Sequence, residues 1–260
     1  MILPVALLAG GLAKRMRPLT EELPKSLLEV AGEPFIFHQL RLLVERGAGE
    51  VVVCAGYLGE MIRQAVGKGE RFGLTVRYSF DWPNLLGTAG AIRQALPLLG
   101  NAFFVQYGDS YLTCDYREVQ ESFRQSGCLG MMAVFRNQGQ WDRSNVEYEN
   151  GRILAYDKRN QTTRMHHIDY GLGLFRREAF DSVPADRSYD LAELYQDLLR
   201  RGGLGSFEMK ERFYEIGSLA GLEELRCLLI DQARETTWDH RSQTDGKRRE
   251  RIGDRHRGTR

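Results

Sequence analysis

Residues Val5 to Leu28 read VALLAGGLAKRMRPLTEELPKSLL. The run from Ile2 to Leu8 is apolar throughout apart from Pro4, as a strand buried on both faces requires. It stops at Gly10-Gly11, where a backbone can turn sharply or lie against a ligand with no Cβ in the way. Lys14, Arg15 and Arg17 follow, then Pro18, then Pro24-Lys25 ahead of Leu27 and Leu28. A strand ending in a glycine turn edged with cations is a place to lay a polyphosphate, because backbone N–H groups and guanidinium forks match phosphate oxygens. The plainer alternative is a strand followed by an exposed basic loop. Two better-known phosphate loops fail on spacing. The P-loop needs a second glycine and a lysine where Arg15 and Met16 stand, and G-x-G-x-x-G does not fit.

Outward from this stretch the chain alternates. Apolar residues recur at helical spacing from Glu33 to Arg46, and Gly47 ends that helix. EVVVCAG, Glu50 to Gly56, is a β-branched run suited to a second buried strand. A helix over 58–66, a strand over 74–78, a helix over 91–98, a strand over 102–107, a helix over 116–123 and a strand over 129–135 follow. This rhythm predicts a mostly parallel sheet with helices on both faces. Beyond Phe135 turns multiply, and 141–160 alternates polar and apolar as solvent-facing antiparallel strands do. A strand ending at Phe175, a helix over 191–201, a short strand over 204–208 and a helix from 219 to about 232 complete the pattern. One domain over 1–233 is therefore expected, with halves at 1–135 and 136–233. From 234 to 260 the hydrophobic pattern gives way to a dense mix of Arg, Lys and Asp, expected to be a disordered charged tail.

Apolar residues at 42% and charged residues at 27% describe an ordinary soluble globular protein. A net charge of +1 gives no general pull toward nucleic acid or membrane, so anion binding has to be local. Cys54, Cys114, Cys128 and Cys227 stand singly, which suits reduced thiols in a cytoplasmic protein. No apolar run approaches the roughly 20 residues of a membrane span, and Ile2 to Ala9 lacks the positive flank of a signal peptide. Asp109, just past the fourth strand, lies at the edge where open α/β sheets bind ligands; a helix N-cap is the plainer alternative. His166 and His167 are neighbours on a strand and point to opposite faces, so at most one can join a metal site.

The opening stretch resembles, residue by residue, the first motif of the sugar-1-phosphate nucleotidyltransferases, L-A-G-G-x-G-T-R-L-x-P-L-T followed by P-K-x-L-x-P-V. Ala9, Gly10, Gly11, Arg15, Pro18, Leu19, Thr20, Pro24, Lys25, Leu27 and Val30 fall on the pattern. Ala13 replaces its glycine, Lys14 its threonine and Glu29 its second proline. Leu86 to Gly90 is similar to the family's L-G-T-A-G element, Asp157-Lys158 to its Glu-Lys pair, Tyr170 to Phe175 to its N-A-G-I-Y-x-F strand, and Glu215 to Ser218 to its D-I-G-T.

The resemblance implies an α/β, Rossmann-like fold, the nucleotide-diphospho-sugar transferase fold, with a small antiparallel sugar-binding portion. It also implies Mg2+-dependent transfer of a nucleotidyl group from a nucleoside triphosphate to a sugar 1-phosphate. The charge balance and the lack of a long apolar run lead us to expect no nucleic-acid or membrane partner, and homo-oligomerisation is left open. Leu8, Ala9, Gly10, Gly11, Gly87 and Thr88 would hold the nucleotide. Arg15 would hold the departing β- and γ-phosphates and Lys25 the attacking sugar phosphate. Asp109 and Glu215 would hold Mg2+; Asp157, Lys158 and Gly171 would bind the sugar phosphate. GMP transfer to mannose or heptose 1-phosphate is the expected reaction, with UMP transfer to a hexose 1-phosphate as the alternative. The departures at Ala13, Lys14, Asp157 and Glu215 would also suit a catalytically weak homologue that binds a sugar nucleotide and signals to a partner.

Overall fold

The apolar opening run forms the central strand because alternate side chains bury on opposite faces of a sheet. In the computed structural model, which describes residues 1–234, this is β1 (Val5–Leu8). The short β2 (Glu29–Val30) and β3 (Glu33–Pro34) follow, then α1 (Phe35–Glu45), β4 (Glu50–Ala55), α2 (Gly59–Val66) and β5 (Thr75–Phe80). Next come α3 (Gly87–Ala95), β6 (Ala102–Tyr107), β7 (Ser110–Tyr111), α4 (Tyr116–Ser126) and β8 (Gly130–Arg136). The chain continues through β9 (Val146–Glu149), β10 (Arg152–Tyr156), β11 (His167–Arg176), α5 (Leu191–Arg200), β12 (Leu204–Met209) and β13 (Tyr214–Glu215). Residues 219–234 form a last helix, α6. The charged tail expected over 234–260 falls, after residue 234, outside the described residues.

β1 pairs in parallel with β4 on one side and β6 on the other, and β4 pairs in parallel with β5. β11 runs antiparallel to β6 and β8, and β9 with β10 forms the antiparallel portion. The fold is thus the mixed α/β arrangement with a mostly parallel centre that the alternation predicts. Val5, Leu7, Val51 and Val53 bury against Ile36 and Leu40 of α1 and Val119 and Phe123 of α4. Ala6, Val52 and Cys54 bury on the other face against Ala89 and Ile92 of α3 and Leu194 and Leu198 of α5.

The strand order positions the site. From β1 the chain goes outward to β4 and β5 and then returns to β6 on the far side of β1. The carboxyl ends of β1 and β6 therefore flank a topological switch point, the crevice in which open α/β sheets bind ligands. Leu8 sits in register with Tyr107, so the Ala9-Gly10-Gly11 turn and the Gly108-Asp109 turn leave the sheet side by side. Gly108 is required there. Its N–H donates to the Leu8 carbonyl at 2.9 Å, and a Cβ at this position would run into that same carbonyl.

The helix-cap alternative for Asp109 is not taken, and two further features depart from the sequence expectations. Asp109 caps no helix; Asp115 caps α4, accepting from the Arg117 N–H at 2.8 Å. α3 starts at Gly87 instead of residue 91, because the Tyr189 carbonyl accepts the first-turn N–H groups of Ala89 (3.0 Å) and Gly90 (3.1 Å). A two-strand ladder joins β7 to β13, pairing Ser110 with Glu215 across a long stretch of chain.

Ala13, where the family motif has glycine, has φ 45, in the left-handed region. Its carbonyl is held by the Met16 N–H and the Thr20 hydroxyl, both at 2.9 Å, so the turn imposes the conformation on it. An L-residue there costs roughly 1–2 kcal/mol, while glycine loses about 0.4–1 kcal/mol through its looser unfolded state. Ala13→Gly is accordingly expected to stabilise the protein by about 0.5–1 kcal/mol, read as a raised midpoint in thermal or urea unfolding. A lowered midpoint would contradict the strained turn.

Candidate active site

Two cavities open at the switch point and share a wall made of Tyr107, Asp109 and Lys158. The first, about 360 Å³, is lined by the β1 turn (Leu8, Ala9, Gly10, Gly11), by Gly87 and Thr88 at the start of α3, and by Lys25, Asp81 and Leu85. The second, about 480 Å³, is lined by Arg15, Lys158, Asp169, Gly171 and Glu215, with the Trp141–Arg143 turn on its other side.

Arg15 is set by its neighbour. Met16 is buried with Leu28, Val30 and Phe35 and with Ile216, Leu222 and Leu225 from the C-terminal end of the fold. This satellite cluster pins the basic loop against the segment carrying Glu215. A methyl group placed on Gly217 would sit 3.5 Å from both Arg15 Nη2 and Asp109 Oδ2, and against the Glu215 carboxylate. Arg15, Asp109 and Glu215 therefore converge on one spot although they come from three distant parts of the chain. Lys25 joins them, its Nζ 2.6 Å from Asp109 Oδ2.

Glu215 faces the start of α6, accepting from the Gly217 N–H and from the Ser218 hydroxyl at 3.0 Å. Burial lifts its pKa above the ordinary glutamate value, with the Asp109 charge adding to the rise and those two hydrogen bonds opposing it. Two carboxylates facing one spot carry mutual repulsion that a cation would relieve.

Deeper in the second cavity lies a buried carboxylate that the motif reading passes over. Asp169 Oδ2 accepts from the hydroxyls of Tyr107 (2.7 Å) and Tyr156 (3.1 Å) and lies 3.3 Å from Lys158 Nζ, while its Oδ1 accepts from the Gly171 N–H at 3.0 Å. Burial, with the Asp169 charge behind it, pushes both tyrosine pKa values up, so both hydroxyls keep their protons as donors. Lys158 Nζ also donates to Tyr107 Oη at 3.0 Å. The signal in the sequence was a lone acid in an otherwise apolar strand. Asp81, directly after β5, is a second acid outside the family-like motifs, and it is half-buried. It lines the first cavity and accepts from the Leu86 N–H at 3.1 Å, and burial raises its pKa.

The structure brings together most of the residues singled out in the sequence. Arg15, Lys25, Asp109, Lys158, Gly171 and Glu215 all line the joined cavities, as do the six expected nucleotide-binding positions. Arg15 lines the second cavity and Lys25 the first, because Lys25 lies along Asp109 on the first-cavity side of the shared wall. Asp157 lines neither. Its carboxylate folds back onto its own turn, accepting from the N–H groups of Arg159 (2.7 Å) and Asn160 (2.9 Å), which hold its pKa below the usual aspartate value. Thr88 has its hydroxyl committed to α5, accepting from the Leu191 N–H at 2.7 Å. Gly171 has a fold reason of its own. Its φ is 85, where β11 slips register against β8, and a Cβ would lie 2.8 Å from Ser110 Oγ. His167 faces Glu208 at 3.1 Å, while His166 is exposed, so the pair forms no joint site.

A parallel-centred α/β sheet with a glycine turn at its switch point, opening into a cavity edged by lysine, arginine and paired acids, defines a nucleotide-binding phosphotransfer enzyme. The chain belongs to the nucleotidyl transferase family, whose model matches residues 5–145. It is 30% identical over 229 residues to the N-acetylmuramate alpha-1-phosphate uridylyltransferase of Neisseria meningitidis, covering 85% of this chain and 96% of that protein. It is 25% identical over 235 residues to the mannose-1-phosphate guanylyltransferase catalytic subunit beta of Xenopus tropicalis, covering 88% of this chain and 65% of that longer protein. A crystal structure from Bacillus anthracis, assigned as a glucose-1-phosphate thymidylyltransferase in complex with a sucrose, shares the fold with a TM-score of 0.78 at 21% identity, over 87% of this chain and 95% of that one. Among the described residues no helix is long and apolar enough to cross a membrane.

Proposed function

We propose that this enzyme transfers a guanylyl group from GTP to a sugar 1-phosphate, giving a GDP-sugar and pyrophosphate. The observation that carries the reading is the convergence of Arg15, Lys25, Asp109 and Glu215 on the wall between a nucleotide-sized cavity and a second, anion-compatible one. In-line attack of a sugar phosphate oxygen on the α-phosphorus needs little covalent help. It needs two anions held together and the charge they share neutralised. Arg15 reaches the shared wall from the second-cavity side, beside Asp109, and there stabilises charge on the departing pyrophosphate. Lys25 exchanges Asp109 for phosphate oxygens as the reactants arrive, and Lys158, held in place by Asp169, receives the sugar phosphate. No nucleophilic side chain is required.

Asp109 and Glu215 fit Mg2+, which takes one or two carboxylates and completes its shell with water and substrate phosphates. The described residues contain no larger acid or histidine cluster of the kind an all-protein metal cage needs. Bound there, Mg2+ would neutralise the phosphate oxygens that bridge nucleotide and sugar.

Guanine is favoured by Asp81 in the first cavity. A carboxylate only accepts hydrogen bonds, and guanine offers adjacent N1–H and 2-amino donors, whereas uracil offers one N–H between two carbonyls. Uridylyl transfer is the second reading, favoured by the Neisseria relative matched over nearly its whole length. Pyrophosphate release measured across ATP, CTP, GTP and UTP against mannose, heptose, glucose and N-acetylmuramate 1-phosphates tests both. The highest kcat/KM is expected with GTP. Preference for UTP would transfer the reading to uridylyl, and no release with any pair would mark a non-catalytic sugar-nucleotide binder.

A further inference from the structure

The turn between β8 and β9 is built with a rigidity that the roles above leave unused. Asn137 is fully buried at its base, donating from Nδ2 to the Asp142 carbonyl (2.6 Å) and the Ser144 hydroxyl (3.2 Å), and accepting at Oδ1 from the Trp141 N–H (3.3 Å). Its own backbone N–H donates to the His166 carbonyl at 3.0 Å, fixing the turn to the start of β11. The turn holds out Trp141 and Asp142, and both line the second cavity with Lys158 and Gly171.

The Trp141 ring is fixed as well as its backbone. The Arg212 guanidinium lies 3.5 Å from the ring centroid, and Arg212 is itself clamped by both carboxylate oxygens of Glu224 on α6, at 2.7 and 2.8 Å. A planar guanidinium held in a bidentate pair is a stiff backing for an aromatic face. Trp141 nevertheless stays 43% exposed. Beside it, Asp142 Oδ1 accepts from the Arg143 N–H at 2.6 Å, and Oδ2 takes no hydrogen bond among the described residues. A pre-positioned indole next to a carboxylate with spare acceptor capacity matches a pyranose ring, which has an apolar C–H face and hydroxyl donors around its edge.

We propose that Trp141 is the platform on which the sugar ring of the sugar 1-phosphate lies, and that Asp142 accepts its hydroxyls. The inference rests on the reading of the second cavity as the sugar-phosphate side. It makes the 137–145 turn, which none of the family-like motifs includes, the part of the chain that selects the sugar.

Two measurements test it together. In steady-state kinetics, Trp141→Ala is expected to raise the KM for the sugar 1-phosphate about tenfold and leave the nucleotide KM within about twofold, with Trp141→Phe retaining part of the loss and Asp142→Asn weakening the sugar side alike. In parallel, α-D-mannose 1-phosphate and α-D-glucose 1-phosphate are titrated into wild type and Trp141→Phe with tryptophan emission as readout. Emission is expected to change on titrating the wild type, and the change to be lost in Trp141→Phe. If the wild type releases pyrophosphate but the variants keep its sugar-phosphate KM, or shift both KM values equally, the platform is refuted while the transferase reading stands. If the wild type neither releases pyrophosphate nor responds to either sugar phosphate, the reading of the site fails and the platform with it.

Discussion

An Asp109→Asn enzyme is expected to lose at least a hundredfold in turnover at saturating Mg2+ and nucleotide while melting within a few degrees of the parent. The loss follows from the charge balance at the shared wall. Asp109 provides the acid on which Lys25 rests and one of the two carboxylates proposed to carry Mg2+, and preorganised electrostatic groups of this kind are worth roughly a hundred- to a thousandfold each. The small effect on stability follows from where Asp109 is anchored. Its backbone carbonyl accepts from the Ile216 N–H at 3.0 Å, and asparagine keeps that bond. The side chain makes one ion pair, partly open to solvent, worth about 0–1 kcal/mol. Turnover measured against Mg2+ concentration, alongside a thermal melt, checks both halves. Full turnover in a folded Asp109→Asn protein would put the metal somewhere else.

Arg15→Ala should cost turnover on the same scale, roughly a hundred- to a thousandfold, with little change in nucleotide affinity. Arg15 is exposed and forms no ion pair among the described residues, so its removal leaves no buried partner stranded. Stability should stay within about 0.5 kcal/mol of the parent, as surface substitutions usually do. The rigidity of the loop comes from Met16, which packs under the C-terminal segment. Steady-state kinetics beside urea unfolding separates the two effects. Unchanged kcat would remove Arg15 from the reaction, and a large loss of stability would mean that it serves the fold.

Local patterns carried most of the architecture. The β-branched run Val51 to Val53, short and closed by Gly56, suits a strand buried on both faces, and the helical spacing of Phe35, Ile36, Leu40 and Leu43 marks a face turned to a core; the structure has both. The glycine turn after β1 and the acid after β6 were legible because a ligand edge leaves its mark within a few residues of a strand end. What stayed hidden depends on long-range pairing. The β7–β13 ladder that delivers Glu215 to Asp109 consists of two residues on each side, too short for any period to register. The family motif points to Asp157 beside Lys158, but two neighbouring N–H groups bind that carboxylate locally, and Asp169 on β11 lies against Lys158. Thr88 shows the same limit, since its hydroxyl serves the start of a helix about a hundred residues further on.

In the proposed reaction nucleotide and sugar phosphate meet at the wall formed by Tyr107, Asp109 and Lys158, and pyrophosphate leaves only as the sugar phosphate bonds. Phosphorus NMR of the enzyme with Mg2+, GTP and mannose 1-phosphate observes this coupling directly. The predicted result is equal amounts of pyrophosphate and a new nucleoside diphosphate ester, neither formed when the sugar phosphate is omitted. Inorganic phosphate or pyrophosphate released at the same rate without the sugar phosphate would contradict it.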